Sequence, residues 1–149
     1  MLAVDQGQLM SQALDMAREA LAAGDHPYGS VVVTASGTVA ERNRVNSASD
    51  PTAHSEVMAV RTAAAAWGIG SLRGSLLLTT FEPCPMCLGA IAEAGVGTLV
   101  IGARRTVGEA PLGDYTVEAL LGLMGRGGDI AITEGVLAEP IALFYAAAG

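Results

Sequence analysis

After a single hairpin the chain alternates strand-like and helix-like segments to its end, which restricts it to a sheet covered by helices. Leu9, Met10, Ala13, Leu14, Ala17, Ala20 and Leu21 recur at the helix period. Gly24 and the following His26-Pro27 predict where that first helix stops. Val31-Val32-Val33, within Ser30 to Ala35, is a β-branched run suited to a strand buried on both faces. Ser36-Gly37 turns it back into a second strand, Thr38 to Arg42. The polar stretch Asn43 to Pro51 reads as a loop. Thr52 is the expected N-cap of the next helix, with Ser55 and Glu56 in its first turn and Gly68 at its end. A strand at Ser75 to Thr80, a helix from about Cys84 to Ala94-Gly95 and a strand at Thr98 to Ile101 follow. A helix from Asp114 or Tyr115 to Met124, a strand at Ile130 to Thr133 and a closing helix complete the order α-β-β-α-β-α-β-α-β-α. The closing helix carries Ile141, Phe144 and Tyr145 on one face, read as core or dimer contacts. The expectation is one three-layer α/β/α domain over residues 1–149 with a five-stranded mixed sheet.

Two short segments carry the chemistry. The first, Asp50-Pro51-Thr52-Ala53-His54-Ser55-Glu56, offers a His and a Glu two residues apart; the second, Glu82-Pro83-Cys84-Pro85-Met86-Cys87, offers a C-x-x-C. The chain holds two Cys and two His in all, so a closed site of four Cys, or of three Cys and a His, is impossible. His54, Cys84 and Cys87 supply three ligands and leave a fourth position open, the arrangement of catalytic zinc. Two thiolates and an imidazole are soft donors that suit Zn²⁺. Glu56 then reads as a proton carrier beside the zinc-activated water rather than as a fourth ligand.

Blander readings stand beside these. A C-x-x-C also serves redox chemistry. A structural zinc would need His26 as its fourth protein ligand, and His26, before Pro27, reads as a surface residue. Asn43 at a strand end is often turn chemistry. Glu82 is either the partner of a metal ligand or a strand-end residue. Asp114 can serve simply as an N-cap.

Charge narrows the partner. The formal net charge is −7, and the eight basic residues, all Arg, are scattered along the chain. Nucleic-acid binding draws on clustered positive charge, so a small, weakly charged partner fits better. No apolar run reaches the roughly 18 residues of a membrane span, and the N-terminus has no signal-like region. These features predict a cytoplasmic protein. The apolar excess hints at a surface covered by another subunit.

His-Ser-Glu followed by Pro-Cys-Pro-Met-Cys resembles the zinc-dependent nucleoside and nucleobase deaminase superfamily, whose signature is H-x-E…P-C-x-x-C. Asn43, the Asp50 to Ala53 lead-in, Glu82 to Ile91 and the tail Ile132 to Leu137 extend the resemblance to guanine deaminases and bacterial tRNA adenosine deaminases. It implies the cytidine-deaminase-like fold, zinc held by His54, Cys84 and Cys87, and Glu56 as the proton shuttle. It further implies that Asn43 hydrogen-bonds the substrate ring, that Tyr28 stacks on it, that Asp114 contacts substrate, and that the protein is a homodimer. Gly102-Ala103-Arg104 and the tail resemble the tRNA editors, but no basic residue follows Arg126. Together with the acidic charge this favours deamination of an aminopurine, aminopyrimidine or related heterocycle. The alternatives are tRNA adenosine-to-inosine deamination and a non-catalytic zinc-binding or redox protein.

Overall fold

A computed structural model describes residues 4–148. The elements follow the expected order: α1 (Gln6–Ala22), β1 (Gly29–Thr34), β2 (Gly37–Arg42), α2 (Ser55–Trp67), β3 (Leu76–Phe81), α3 (Pro85–Ala94), β4 (Thr98–Ala103), α4 (Val117–Leu123), β5 (Ala131–Glu134) and α5 (Ala138–Ala148). A 3-10 turn at Ile69–Leu72, not foreseen, fills the space after Gly68 ends α2. Among the described residues no helix is long and apolar enough to cross a membrane.

The five strands form one sheet in the order β2-β1-β3-β4-β5. β1 is antiparallel to β2 and β3, whereas β3, β4 and β5 are parallel. The apolar triplets show why helices cover both faces. Side chains alternate across a strand, so Val32 and Leu77 enter one core with Ala59, Leu88, Ile91 and Leu121 of α2, α3 and α4. Val31, Val33, Leu76 and Leu78 enter the other, with Met10, Ala13 and Leu14 of α1 and Ile141 of α5. This is the three-layer α/β/α domain that the alternation predicts.

Two helix caps differ from expectation. The Thr52 hydroxyl donates to Asp50 Oδ1 at 2.7 Å, so it serves the loop, and α2 begins after His54. Asp114 is no cap either; Thr116 Oγ1 accepts from Ala119 N at 3.0 Å and starts α4. A side chain already engaged two residues upstream cannot reach the first free N–H groups of a helix.

Strand directions place the site. The N-terminal end of β1 and the C-terminal ends of β2, β3 and β4 lie along one edge, through the pairs Gly29↔Arg42, Ser30↔Thr79 and Phe81↔Ala103. The loops leaving that edge carry Tyr28, Asn43, Glu82 to Cys84, and Arg104-Arg105. Gly29 is required there: a Cβ would sit 2.0 Å from Ala13 O of α1. Only glycine lets the chain pass so close to the helix.

Candidate active site

Neither α2 nor α3 has a side-chain cap at its N-terminus. Their cap positions are His54 and Cys84, each extended, with Pro85 opening α3. Free backbone N–H groups and the positive ends of both helix dipoles therefore face one place. His54 Nδ1 lies 3.6 Å from Cys84 Sγ and 3.4 Å from Cys87 Sγ, and the two sulfurs are 3.6 Å apart.

Those separations fit a metal ion. Zn–S bonds of about 2.3 Å and Zn–N bonds of about 2.0–2.1 Å at tetrahedral angles place S and N about 3.6 Å apart and two S about 3.8 Å apart. The three ligand atoms lie within 4.8 Å of one another, and no other group of three such residues does so among the described residues. His26 is exposed and outside the group. Cys87 is fully buried, whereas His54 and Cys84 reach the cavity. The trio is electrostatically coupled. The Cys84 thiol is pulled down to about 4, first by its hydrogen bond with Cys87 and also by His54. The hydrogen bond with Cys84, then burial, pushes the Cys87 thiol far up, and the contact with Cys84 raises His54.

Glu56 is 6% exposed and lines the same cavity. Burial raises its pKa, since desolvation disfavours a carboxylate. Its Oε1 lies 2.9 Å from Ser55 Oγ, which meets Ser30 Oγ at 2.8 Å, and Ser30 Oγ meets Thr79 Oγ1 at 2.9 Å. Each hydroxyl has one proton to donate. Ser30 donates to Thr79, and Ser55 donates to Glu56 Oε1. Ser55, the middle residue of His-Ser-Glu, thus has a partner role that the motif alone does not show.

The cavity measures about 40 Å³ and is lined by Tyr28, His54, Glu56, Phe81, Glu82, Cys84 and Arg105. Tyr28 packs 5.7 Å from the Phe81 ring and 6.0 Å from Tyr145. The Tyr145 hydroxyl donates to Thr80 Oγ1 or Pro27 O, at 2.7 and 2.8 Å, so Tyr145 supports the wall behind Tyr28. Phe81 and Arg105 escaped the sequence reading. Their only sequence signal is position: Phe81 closes β3 directly before Glu82, and Arg105 lies two residues past the end of β4.

Glu82 is buried and does not touch the metal ligands. Its carboxylate accepts from Arg104 Nε at 3.0 Å, Arg104 Nη2 at 3.2 Å, Arg105 N at 2.9 Å and Val117 N at 3.0 Å. It pins the chain on either side of the loop 106–116. Asn43 is buried, and its Oδ1 accepts from Val45 N at 3.0 Å, an Asx turn. The loop after it is anchored by Asp25, which accepts from Arg42, Asn46 N and Ser47. Asn43 is not among the cavity-lining residues, and its amide NH₂ is the group left to offer a ligand. Asp114 is exposed and lines neither this cavity nor the adjoining one.

Known proteins agree with this geometry. Residues 4–103 match the cytidine and deoxycytidylate deaminase zinc-binding region. The chain is 46% identical over 98 residues to a tRNA(Ile)-lysidine synthase of Deinococcus deserti, covering 64% of this chain and 18% of that one. It is 40% identical over 99 residues to the guanine deaminase of Bacillus subtilis, covering 65% of this chain and 64% of that one. It thus spans less than two thirds of either relative. Among solved structures, a chain from a study of A-to-I editing by tRNA:A34 deaminases superposes with a TM-score of 0.78 at 29% identity, covering 91% of this chain and 97% of that one. With the matched region spanning the His54-x-Glu56 and Cys84-x-x-Cys87 segments, the chain belongs to the zinc-binding cytidine and deoxycytidylate deaminase family.

Proposed function

We propose that this chain is a zinc-dependent aminohydrolase that deaminates a small nucleobase-like or nucleoside substrate, an aminopurine, aminopyrimidine or related heterocycle, and releases ammonia. One observation carries the reading: three ligand atoms lie at zinc-binding separations, and two of the residues that bear them, His54 and Cys84, line a small cavity with a buried carboxyl, Glu56.

His54, Cys84 and Cys87 would hold the zinc, which would lower the pKa of a bound water towards about 7 and so supply a nucleophile at neutral pH. Glu56, its carboxyl oriented by Ser55, takes the proton from that water. It passes that proton to the ring nitrogen next to the reacting carbon as the water's oxygen bonds to that carbon, and then carries the oxygen's remaining proton to the amino group, which leaves as ammonia. One water is consumed, the C–N bond breaks, and a carbonyl and ammonia result. Burial raises the proton affinity of Glu56, which suits a group that must both accept and return a proton. Tyr28 and Phe81 offer flat apolar faces to hold the ring. Asn43 is proposed to contact the ring through its amide, and Asp114 to act only after a change in the loop that carries it.

The proposed partner is a second copy of the chain. A groove lined by Val60, Ala64, Leu72 and Ala90, with Ile69 83% exposed at its side, leaves apolar surface between α2 and α3. Light scattering on the purified protein would read the dimer mass.

The test of the activity is an ammonia-release panel on the zinc-loaded protein: guanine, adenine, cytosine, related triazines, their nucleosides and a tRNA anticodon hairpin. Turnover of a small heterocycle is expected. A second reading, tRNA adenosine deamination, draws on the likeness to the tRNA:A34 deaminase structure. Activity confined to the hairpin would establish it in place of the first. The net charge of −7 speaks for the small substrate. Release from no compound would favour a non-catalytic zinc-binding or redox protein.

A further inference from the structure

The inner cavity shares two of its lining residues with a second one. Phe81 and Arg105 line both the chamber of about 40 Å³ at the metal ligands and an adjoining chamber of about 200 Å³ formed by the loop after β4, with Thr106, Glu109 and Tyr115. The inner chamber takes a few water-sized groups. The outer one is five times larger and has no part in the reaction proposed above.

Arg104 and Arg105 stand side by side with different surroundings. Arg104 is paired with Glu82, Glu118 and Glu134. Arg105 forms no ion pair among the described residues, although the chain carries fifteen acidic groups against eight basic ones. Its Nε is buried and has no hydrogen-bond partner. Its guanidinium lies over the Phe81 ring, 5.1 Å from the centroid, and its backbone N–H is fixed to Glu82 Oε1 at 2.9 Å. A guanidinium that lies over an aromatic ring, forms no ion pair and lines both chambers is suited to a planar or tetrahedral oxyanion.

We propose that Arg105 is a specificity-determining residue that binds an anionic oxygen of the substrate, so that the preferred substrate is an amino-heterocycle bearing a phosphate or a carboxylate. The inference rests on the deaminase reading of the inner cavity. The amino-bearing edge of the ring enters the inner chamber, and the charged substituent extends past Phe81 into the outer one. The exposed Glu109 lines that outer chamber and limits the charge it takes, so one small anionic group fits and a polyanionic strand does not.

The test compares matched pairs on the zinc-loaded protein and its Arg105→Gln and Arg105→Lys variants. The pairs are adenosine, cytidine and guanosine with their 5′-monophosphates, and 4-aminopyrimidine with 4-aminopyrimidine-5-carboxylate. Wild type is expected to favour the charged member of a pair by at least about tenfold in kcat/KM, mainly through KM. That ratio should fall towards one in Arg105→Gln and be partly kept in Arg105→Lys. A ratio lost only in the phosphate pairs assigns the anion as phosphate; a ratio lost only in the carboxylate pair assigns carboxylate. Calorimetric binding of the same pairs is measured in parallel. If nothing releases ammonia, the deaminase reading fails, and the role of Arg105 is then decided by whether Arg105→Gln selectively weakens binding of the charged members. Equal ratios in wild type and Arg105→Gln, preference for the uncharged members, or activity confined to an RNA hairpin would each overturn the proposal.

Discussion

Replacing Glu82 with Gln changes one atom of the side chain and strikes the residue that holds the site's outer wall. The Glu82 side chain is 1% exposed, and both oxygens accept only from N–H groups: Oε1 from Arg104 Nε and Arg105 N, Oε2 from Arg104 Nη2 and Val117 N. Whichever way the new amide is turned, its NH₂ meets two donors. Two charge-assisted bonds of about 1.5–3 kcal/mol each are weakened, and one oxygen's partners lose their acceptor. Glu118 and Glu134 still neutralise Arg104 and keep the cost below that of a fully orphaned buried charge. The expected destabilisation is about 3 kcal/mol, equivalent to a fall in Tm of about 6–12 °C for a domain of this size. Urea unfolding followed by circular dichroism measures it. The loop 106–116 should also become more protease-sensitive, because Arg105 N and Val117 N flank it. A loss under about 1 kcal/mol with the loop unchanged would show that Glu82 does not organise this wall.

Other expectations follow from the ligand trio and from Asp25. Cys87→Ala should lower zinc stoichiometry, read by atomic absorption, and a fully metallated variant would remove Cys87 from the ligand set. In chelator-stripped protein Cys87 keeps its proton and the contact with Cys84 raises the proton affinity of His54, whereas zinc needs both groups deprotonated. Zinc uptake should therefore release at least one proton, and zinc affinity should climb at least about tenfold per pH unit near neutrality; pH-independent affinity would contradict the coupling. The Ser47 hydroxyl foremost, with Arg42 and backbone N–H groups, holds the Asp25 carboxyl well below the usual carboxylate range. The folded-state value is depressed, so this stability is present above about pH 4 and is lost as pH falls towards the folded value. Asp25→Asn should flatten the acid limb of the stability profile, and an identical limb in the variant would exclude Asp25 as its source.

The fold was legible because its signals are local. Alternation within Val31 to Val33 and Leu76 to Leu78 specifies a sheet buried on both faces, and helix periods between the strands specify what covers it. The metal trio was legible because each motif packs its donors into one turn at a helix start. Phe81 and Arg105 were not, because their place depends on the parallel register that sets Phe81 beside Ala103, a relation between strands apart in sequence. Glu82 was visible as a candidate, but its task was not: its four donors come from the end of β4 and the start of α4. The caps failed for a local reason, competition between neighbours. Asp50 captured the Thr52 hydroxyl, and Thr116 displaced Asp114 at the start of α4.

The reading of this site as a hydrolytic deaminase depends above all on Glu56 carrying the proton. Ammonia release by the zinc-loaded wild type and by Glu56→Gln, with zinc counted in the same samples, isolates that step. Gln keeps the shape and the hydrogen bond with Ser55, so both proteins should hold equal zinc and unfold alike. The variant's kcat should fall by about 10²–10⁴ or more. Equal turnover by the two fully metallated proteins would show that the proton travels by another group.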